Sequence, residues 1–373
     1  VTGLLGLVGA VCALTGAAAV AGFFGQLWWL FDLCSHFRVQ YAVVLGLGLA
    51  IYLLARHRVG ATLLLLVWLL NLAPMLPLWF GDDGEPESPS AGEVATLRVM
   101  TLNVFSPSDA HGEVIALVRE EAPAVIAFQE ITGTWERVLT EALAADYPYR
   151  LVRPRSDHFG MALFSRHPMV ATVDFLGELQ LPVIDARVTA LGRTWRIVNA
   201  HPRAPSLNAE SHRHRDEYIR QLAARVGDVC PSPPPDPGAG RDSTLTPPAA
   251  PDRSPGVCVV LGDFNASQWS AAMRDFRRGT DLRHSAVGHG LHLTWPTSAP
   301  LFSVPLDHIL VSDQVWVVDS RVGPVVGSDH RPVLADLAPG EPTPPPPTGS
   351  SATREPLGWA AKSVGNVRFR HRP

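Results

Sequence analysis

The sequence predicts an α/β domain with mixed sheets, preceded by three transmembrane helices. From residue 96 onward, short β-branched runs alternate with amphipathic stretches, the signature of α/β layering. Several runs follow one another with no helix between them, as at Met161–Ser165 and Val170–Phe175, which favours mixed pairing over a purely parallel sheet. The first 80 residues are different: their strong charges are only Arg38, Arg56, Arg58 and Asp32.

Three apolar stretches fill that front segment, roughly Gly3 to Phe31, Val39 to Ala55 and Val59 to Phe80. A bilayer span needs about 20 apolar residues, so all three are candidates, the second at the short limit. A cleaved signal peptide would explain only the first. Arg56, His57 and Arg58 lie between the second and third spans, whereas Asp82, Asp83, Glu85 and Glu87 follow the third. Basic loops stay in the cytoplasm, so everything after Phe80 is expected to face outward. The expected division is 1–80 anchor, 81–94 linker, 95–338 catalytic domain, and 339–373 a disordered, Pro-rich tail ending in Arg368, Arg370, His371 and Arg372. The chain opens on Val, which points to a non-ATG start or an upstream segment.

After the front segment, 28 basic residues face 34 acidic ones, a balance that argues against a broad nucleic-acid-binding surface, which would normally be basic. Lys362 is the only lysine among many Arg, Ala and Pro residues, the composition of a GC-rich bacterial genome. Cys230 and Cys258 bracket a Pro-rich stretch, about 229–256, that cannot bury apolar surface and is expected to be a disordered insertion. Cys258 lies inside a strand, so an unpaired core thiol is expected there, with a Cys230–Cys258 bridge as the alternative.

In chain order, a strand at Thr96–Asn103 opens the domain, followed by a helix over Asp109–Glu121, a strand at Ala124–Glu130 and a helix over Trp135–Ala145. Strands follow at Met161–Ser165, Val170–Phe175, Val183–Thr189, Trp195–Ala200, Val257–Leu261, Asp307–Val311 and Val333–Asp336, with Arg203–Arg220 and Gly279–Ser303 as loops. The polar residues where these strands end carry the chemistry. They are Asn103, Gln129-Glu130, Asn199-Ala-His201, Gly-Asp263-Phe-Asn265, Asp307-His308 and Ser328-Asp329-His330. Taken singly, each is a turn residue, a solvated end or a core imidazole. Together they fit metal-assisted phosphoester hydrolysis. Glu130 and Asn103 offer hard oxygen donors suited to Mg²⁺, with Mn²⁺ as a substitute. Asp263 can orient or deprotonate water, and Asn265 can donate to a phosphate oxygen. His201 and His330 can stabilise developing phosphoryl charge, and Asp307 can hold one imidazole in its working tautomer.

This ordered set resembles the endonuclease/exonuclease/phosphatase superfamily, whose members are similar to DNase I. The resemblance covers roughly Thr96 to Leu337, and Gly160-Met-Ala-Leu-Phe-Ser165-Arg166 also resembles a segment of that family. It implies a four-layer DNase I-like α/β sandwich, two packed mixed sheets flanked by helices, with a Mg²⁺ site at one edge. By matched motif it implies Glu130 as principal metal ligand assisted by Asn103, with Asp329 adding a metal or orienting contact. It also implies that Asp263 and Asn265 position nucleophile and phosphate, and that Asp307 supports His330. The membrane anchor departs from the soluble nucleases and resembles an actinobacterial membrane branch that includes VanJ-type proteins, for which lipid-linked phosphates of cell-wall synthesis are the implied substrates.

The expected function is therefore a multi-pass bacterial membrane phosphatase or phosphodiesterase with an outward-facing site, acting on lipid-linked phosphate such as undecaprenyl pyrophosphate. The alternative is a membrane-tethered nuclease, for which Arg203, Arg213 and Arg215 with His212 and His214 would form a local phosphate-binding patch. A non-enzymatic adaptor would lack members of the catalytic set, and none is missing. No protein partner can be inferred.

Overall fold

A computed structural model describes residues 2–81, 95–230 and 257–340. Most of the expected insertion (about 229–256), linker (81–94) and tail (339–373) lies outside the described residues, although Val229 ends a helix and Pro339 a strand.

The front segment forms α1 (Thr2–Ala21), α2 (Trp29–Ser35), α3 (Arg38–Leu54), α4 (Arg58–Leu72) and α5 (Pro77–Phe80). Among the described residues, two helices are long and apolar enough to cross a membrane, Gly3–Phe24 and Arg58–Met75, and a third span is reached only by counting α2 and α3 as one element bent by 68°. The first expected stretch, Gly3 to Phe31, is not one helix: it breaks after Phe24, and α2 starts afresh at Trp29. The third is shortened because Pro74 and Pro77 lack the N–H that would continue α4. Side chains such as Leu14, Leu47, Leu54 and Leu63 stand on the outside of this bundle, exposed as lipid-facing residues would be.

The remainder comprises β1 (Leu97–Asn103), α6 (His111–Glu121), β2 (Val125–Gln129), α7 (Gly133–Leu143), β3 (Tyr149–Arg153), β4 (Met161–Ser165), β5 (Met169–Leu176), β6 (Leu181–Ala190), β7 (Arg193–Ala200), α8 (Ala209–Val229), β8 (Val257–Asp263), α9 (Ala271–Thr280), β9 (Arg283–His284), β10 (Asp307–Val311), β11 (Val315–Val322) and β12 (Val333–Pro339). Two six-stranded sheets form, ordered β11-β12-β1-β2-β4-β3 and β5-β6-β7-β8-β10-β9. Both are mixed: β1 runs parallel to β2 and antiparallel to β12, and β8 runs parallel to β7 and antiparallel to β10.

Strand alternation explains the layers. Val99, Val125, Leu163, Ile184, Ile197, Val259 and Ile309 point between the sheets and form one core. Their neighbours Met100, Leu102 and Ile126 point the other way, onto Leu117 of α6 and Trp135 and Leu139 of α7. On the second sheet, Val198 and Val260 meet Ile219 and Leu222 of α8 and Met273 and Phe276 of α9. With both faces covered, the central strands read as unbroken apolar runs. The result is the expected four-layer sandwich.

Two expectations need correction. Arg203–Arg220 is not a loop for most of its length, because Asn208 caps a long helix by accepting from Ser211 N–H. Likewise, Cys258 is not a free thiol: it is bonded to Cys230, with Cα atoms 5.9 Å apart. Although Cys258 sits in the strand, its side chain lies on the outer face, where the end of α8 brings Cys230 to it. Closing a loop of this length contributes about 3–4 kcal/mol in the chain-entropy picture. Reductant, or Cys258→Ser, should lower the urea unfolding free energy by about that amount. A reductant-insensitive midpoint would show that the bridge contributes nothing.

Candidate active site

Strand ends at one edge of the sandwich converge on a single cluster. Asn103 ends β1, Glu130 follows β2, His201 follows β7, Asp263 ends β8 and Asp307 begins β10. Because β7 and β8 are parallel neighbours, Ala200 pairs with Gly262, and Asp307 pairs with Asp263 across the antiparallel β8–β10 ladder. Gly262 is required here: its φ is +144°, and a Cβ would lie 2.0 Å from the Ala200 carbonyl oxygen. The last turn is tied in by Ser328, whose hydroxyl donates to the Asn103 carbonyl at 2.7 Å and accepts from His330 N–H at 3.0 Å.

Asn103 bridges the two halves. Its Nδ2 donates to Glu130 Oε1 at 3.1 Å and to Asp263 Oδ2 at 3.0 Å, while its Oδ1 accepts from Phe105 N–H. The amide nitrogen, rather than the oxygen expected for a metal ligand, thus faces the carboxylates. Glu130 has φ +62°, which turns it out of the strand, and its Oε2 accepts from both the N–H and the hydroxyl of Ser106. Burial alone would raise its pKa, but His201 and these donors bring it below the usual carboxylate value. Asp263 Oδ1 accepts from Asn265 N–H at 2.8 Å. Asn265, also left-handed at φ +49°, donates from Nδ2 to the Pro202 carbonyl. His201 Nδ1 donates to the Asp263 carbonyl at 3.2 Å.

His330 and Asp307 form a buried dyad. Nδ1 donates to Asp307 Oδ2 at 2.8 Å, and Nε2 lies 3.7 Å from Asp263 Oδ2. Burial opposes the charged imidazole, but Asp307 and Asp263 overcome it and push the His330 pKa up to about 10. This has a sign in stability. With an unfolded value of about 6.5, the contribution is complete below that pH, shrinks as pH rises, and is lost by about pH 10. Between those limits, the Tm gap between wild type and His330→Ala should close steadily as pH rises. A gap that widened instead would contradict the assignment.

Asp329 Oδ2 accepts from Trp295 Nε1 at 3.0 Å, and the Trp295 ring lies 6.3 Å from His330. Oδ1 of Asp329 and Oδ1 of Asp307 are buried without a hydrogen-bond partner. Four carboxylates in one cluster, two with an unsatisfied oxygen, make a hard-donor set that suits a divalent cation. Among the described residues, Asp263, Asp307 and His330 bring one potential ligand atom each within 4.8 Å of one another. A protonated imidazole cannot ligate, so that triple reads better as acid–base machinery, leaving the Glu130 side for the ion.

The structure therefore gathers Asn103, Glu130, His201, Asp263, Asn265, Asp307, Asp329 and His330 around one edge. Ser106, His158 and Trp295 belong there too and have no motif of their own. Ser106 makes a short contact with His158, which also lies 3.4 Å from Glu130. Of the basic patch expected at Arg203, His212, Arg213, His214 and Arg215, Arg203 is exposed and Arg213 pairs with Glu178 at the surface, whereas Arg215 is fully buried against Asp32 and Asp216 and does not belong to it.

The chain matches the family described as Endonuclease/Exonuclease/phosphatase family over residues 100–330. SmcL is similar in structure, with TM-score 0.50 and 17% identity, covering 65% of this chain and 99% of that one. Two further structures are an endonuclease/exonuclease/phosphatase from Bacteroides vulgatus (TM-score 0.49, 17% identity, 66% and 99% coverage) and one from Beutenbergia cavernae DSM 12333 (0.48, 19%, 66% and 72%). At these identities the likeness concerns fold alone, and SmcL carries it. No curated protein matches the chain significantly. With the family match spanning more than half its length, this chain belongs to the endonuclease/exonuclease/phosphatase family and is a phosphoester hydrolase.

Proposed function

We propose that this protein is a bacterial membrane phosphatase or phosphodiesterase, anchored by residues 1–80, whose outward-facing catalytic domain acts on a lipid-linked phosphate such as undecaprenyl pyrophosphate. The observation that carries this reading is the docking of the apolar helices against the catalytic loop itself. His36 Nδ1 accepts from Ser267 N–H, two residues after Asn265, and Trp269 Nε1 donates to the Pro74 carbonyl. Gln40 Nε2 donates to the carbonyls of Leu301 and Ser303, beyond Trp295 at the site. The site so held lies close to any bilayer the helices cross. The Cys230–Cys258 bridge supports the outward side, since disulfides persist in oxidising compartments.

In this reading Asp263 orients and deprotonates the attacking water. His330, kept protonated by Asp307, stabilises negative charge growing on the phosphoryl oxygens, and His201 assists from the other side. Glu130 and Asp329 would hold Mg²⁺, which when bound neutralises phosphate charge, while Asn103 orients the Glu130 carboxylate by donating to it from Nδ2. Asn265 fixes the backbone of the Asp263 loop and can present its second amide hydrogen to phosphate. The test is phosphate release from lipid pyrophosphate by the detergent-solubilised full chain, with plasmid DNA in parallel. Lipid turnover that requires Mg²⁺ and spares DNA is the expected result; DNA cleavage without lipid turnover would establish the nuclease instead.

A further inference from the structure

We infer that a second anion site, distinct from the catalytic one, holds the headgroup phosphate of an anionic membrane lipid. A cavity of about 360 Å³ lies between the apolar helices and α9, lined by Arg38, Arg274, Arg277 and Arg278 together with Gln268 and Phe23. No carboxylate lines it, and neither does any member of the catalytic cluster. Arg38 is 1% exposed and Gln268 6%, yet Arg38 Nε and Nη1 and both amide atoms of Gln268 have no hydrogen-bond partner. The Arg38 guanidinium lies over the Phe23 ring at 4.2 Å. The carboxylate beside the cavity, Asp275, is already engaged by Gln26 and Arg278, and Arg274 donates one bond to the Trp269 carbonyl. Asp281 and Asp313 line the neighbouring open cleft on the other side of the arginines.

Burying a guanidinium with idle donors beside other cations is costly unless an anion completes it. Phosphate does so well, because its several oxygens accept from the arginine forks and from the amide of Gln268. Position identifies the source. Phe23 lies at the end of the first apolar helix, Arg38 at the start of α3 and Pro74 near the end of the Arg58–Met75 helix, and all three line the cavity. Those three ends share one side of the bundle, at the level where lipid headgroups meet a span. The inference rests on the membrane-anchor reading but not on the substrate.

The test uses the full chain in detergent, with phosphatidylglycerol, phosphatidylcholine and inorganic phosphate as probes and retention read by native mass spectrometry. Phosphatidylglycerol should be retained at least tenfold better than phosphatidylcholine, and Arg274→Gln/Arg278→Gln should remove that preference. Asp263→Asn should retain it. Arg38→Gln should also remove it, and the half-buried Arg274 and exposed Arg278 keep the test decisive if that buried variant misfolds. Unchanged retention by the double variant, or loss in Asp263→Asn, would overturn the site. Binding of inorganic phosphate at these arginines with no preference for the lipid would overturn the lipid source. A chain that washes off alkaline-stripped membranes would refute the anchor reading and the lipid source together. A membrane-retained chain without lipid preference would refute the lipid site alone.

Discussion

His330→Ala should lower kcat for phosphoester hydrolysis by about 10³-fold with KM close to wild type. The imidazole touches Asp307 through Nδ1 and faces Asp263 through Nε2, so its charge sits where phosphoryl oxygens gain negative charge. Removing it also leaves two carboxylates buried side by side without their cation, so stability should fall as well. His330→Gln separates the two effects. The amide can still donate to Asp307 but carries no charge, so kcat should drop as in the alanine variant while Tm falls less. Steady-state phosphate release and thermal unfolding of both variants check this. A kcat within tenfold of wild type in either variant would remove His330 from the chemistry.

Asp32→Ala should destabilise the protein by about 3–5 kcal/mol, a Tm drop on the order of 10 °C. Asp32 comes from α2, yet its Oδ2 accepts from Arg215 Nη2 at 2.6 Å and its Oδ1 accepts from Ala271 N–H, the first residue of α9. Arg215 in turn donates to the Asn265 carbonyl at 3.4 Å. The single change would leave a fully buried guanidinium with Asp216 as its remaining ion-pair partner, and that carboxylate is half exposed. It would also remove the acceptor of Ala271 N–H in the first turn of α9, behind the catalytic loop, while the Ser270 cap remains, so kcat should fall together with stability. Asp32→Ala/Arg215→Met should recover most of the lost stability, because replacing both members of a buried pair by apolar groups is often near neutral. If the single variant stays within 1 kcal/mol of wild type, the pair is not what joins the two parts.

Much of this architecture is legible in the sequence. Buried strands such as Val257–Leu261 announce themselves as apolar runs, and Asn103, Glu130, Asp263, Asp307 and His330 stand where those runs stop. Their meeting is a consequence of strand ends sharing an edge. What escaped depends on contacts distant in sequence. Nothing local marks Ser106 or His158, which matter because the left-handed turn at Glu130 points its carboxylate at them. Asp32 read as a lone acid beside a span, and its partner lies 183 residues away. The helix over Ala209–Val229 is rich in charge, so its narrow apolar stripe of Tyr218, Ile219, Leu222 and Val226 was hidden among arginines. For Cys258, position in a strand does not reveal which face the thiol occupies, so the sequence leaves the free thiol and the bridge both open.

The most direct measurement of the central proposal places substrate and site on the same side of a membrane. Right-side-out vesicles carrying the full chain would be given lipid pyrophosphate and Mg²⁺ externally, and released phosphate followed. Hydrolysis that stops on adding a membrane-impermeant chelator outside, and is absent with His330→Ala, is the predicted result. Hydrolysis confined to inverted vesicles, or no lipid turnover while added DNA is cut, would contradict it.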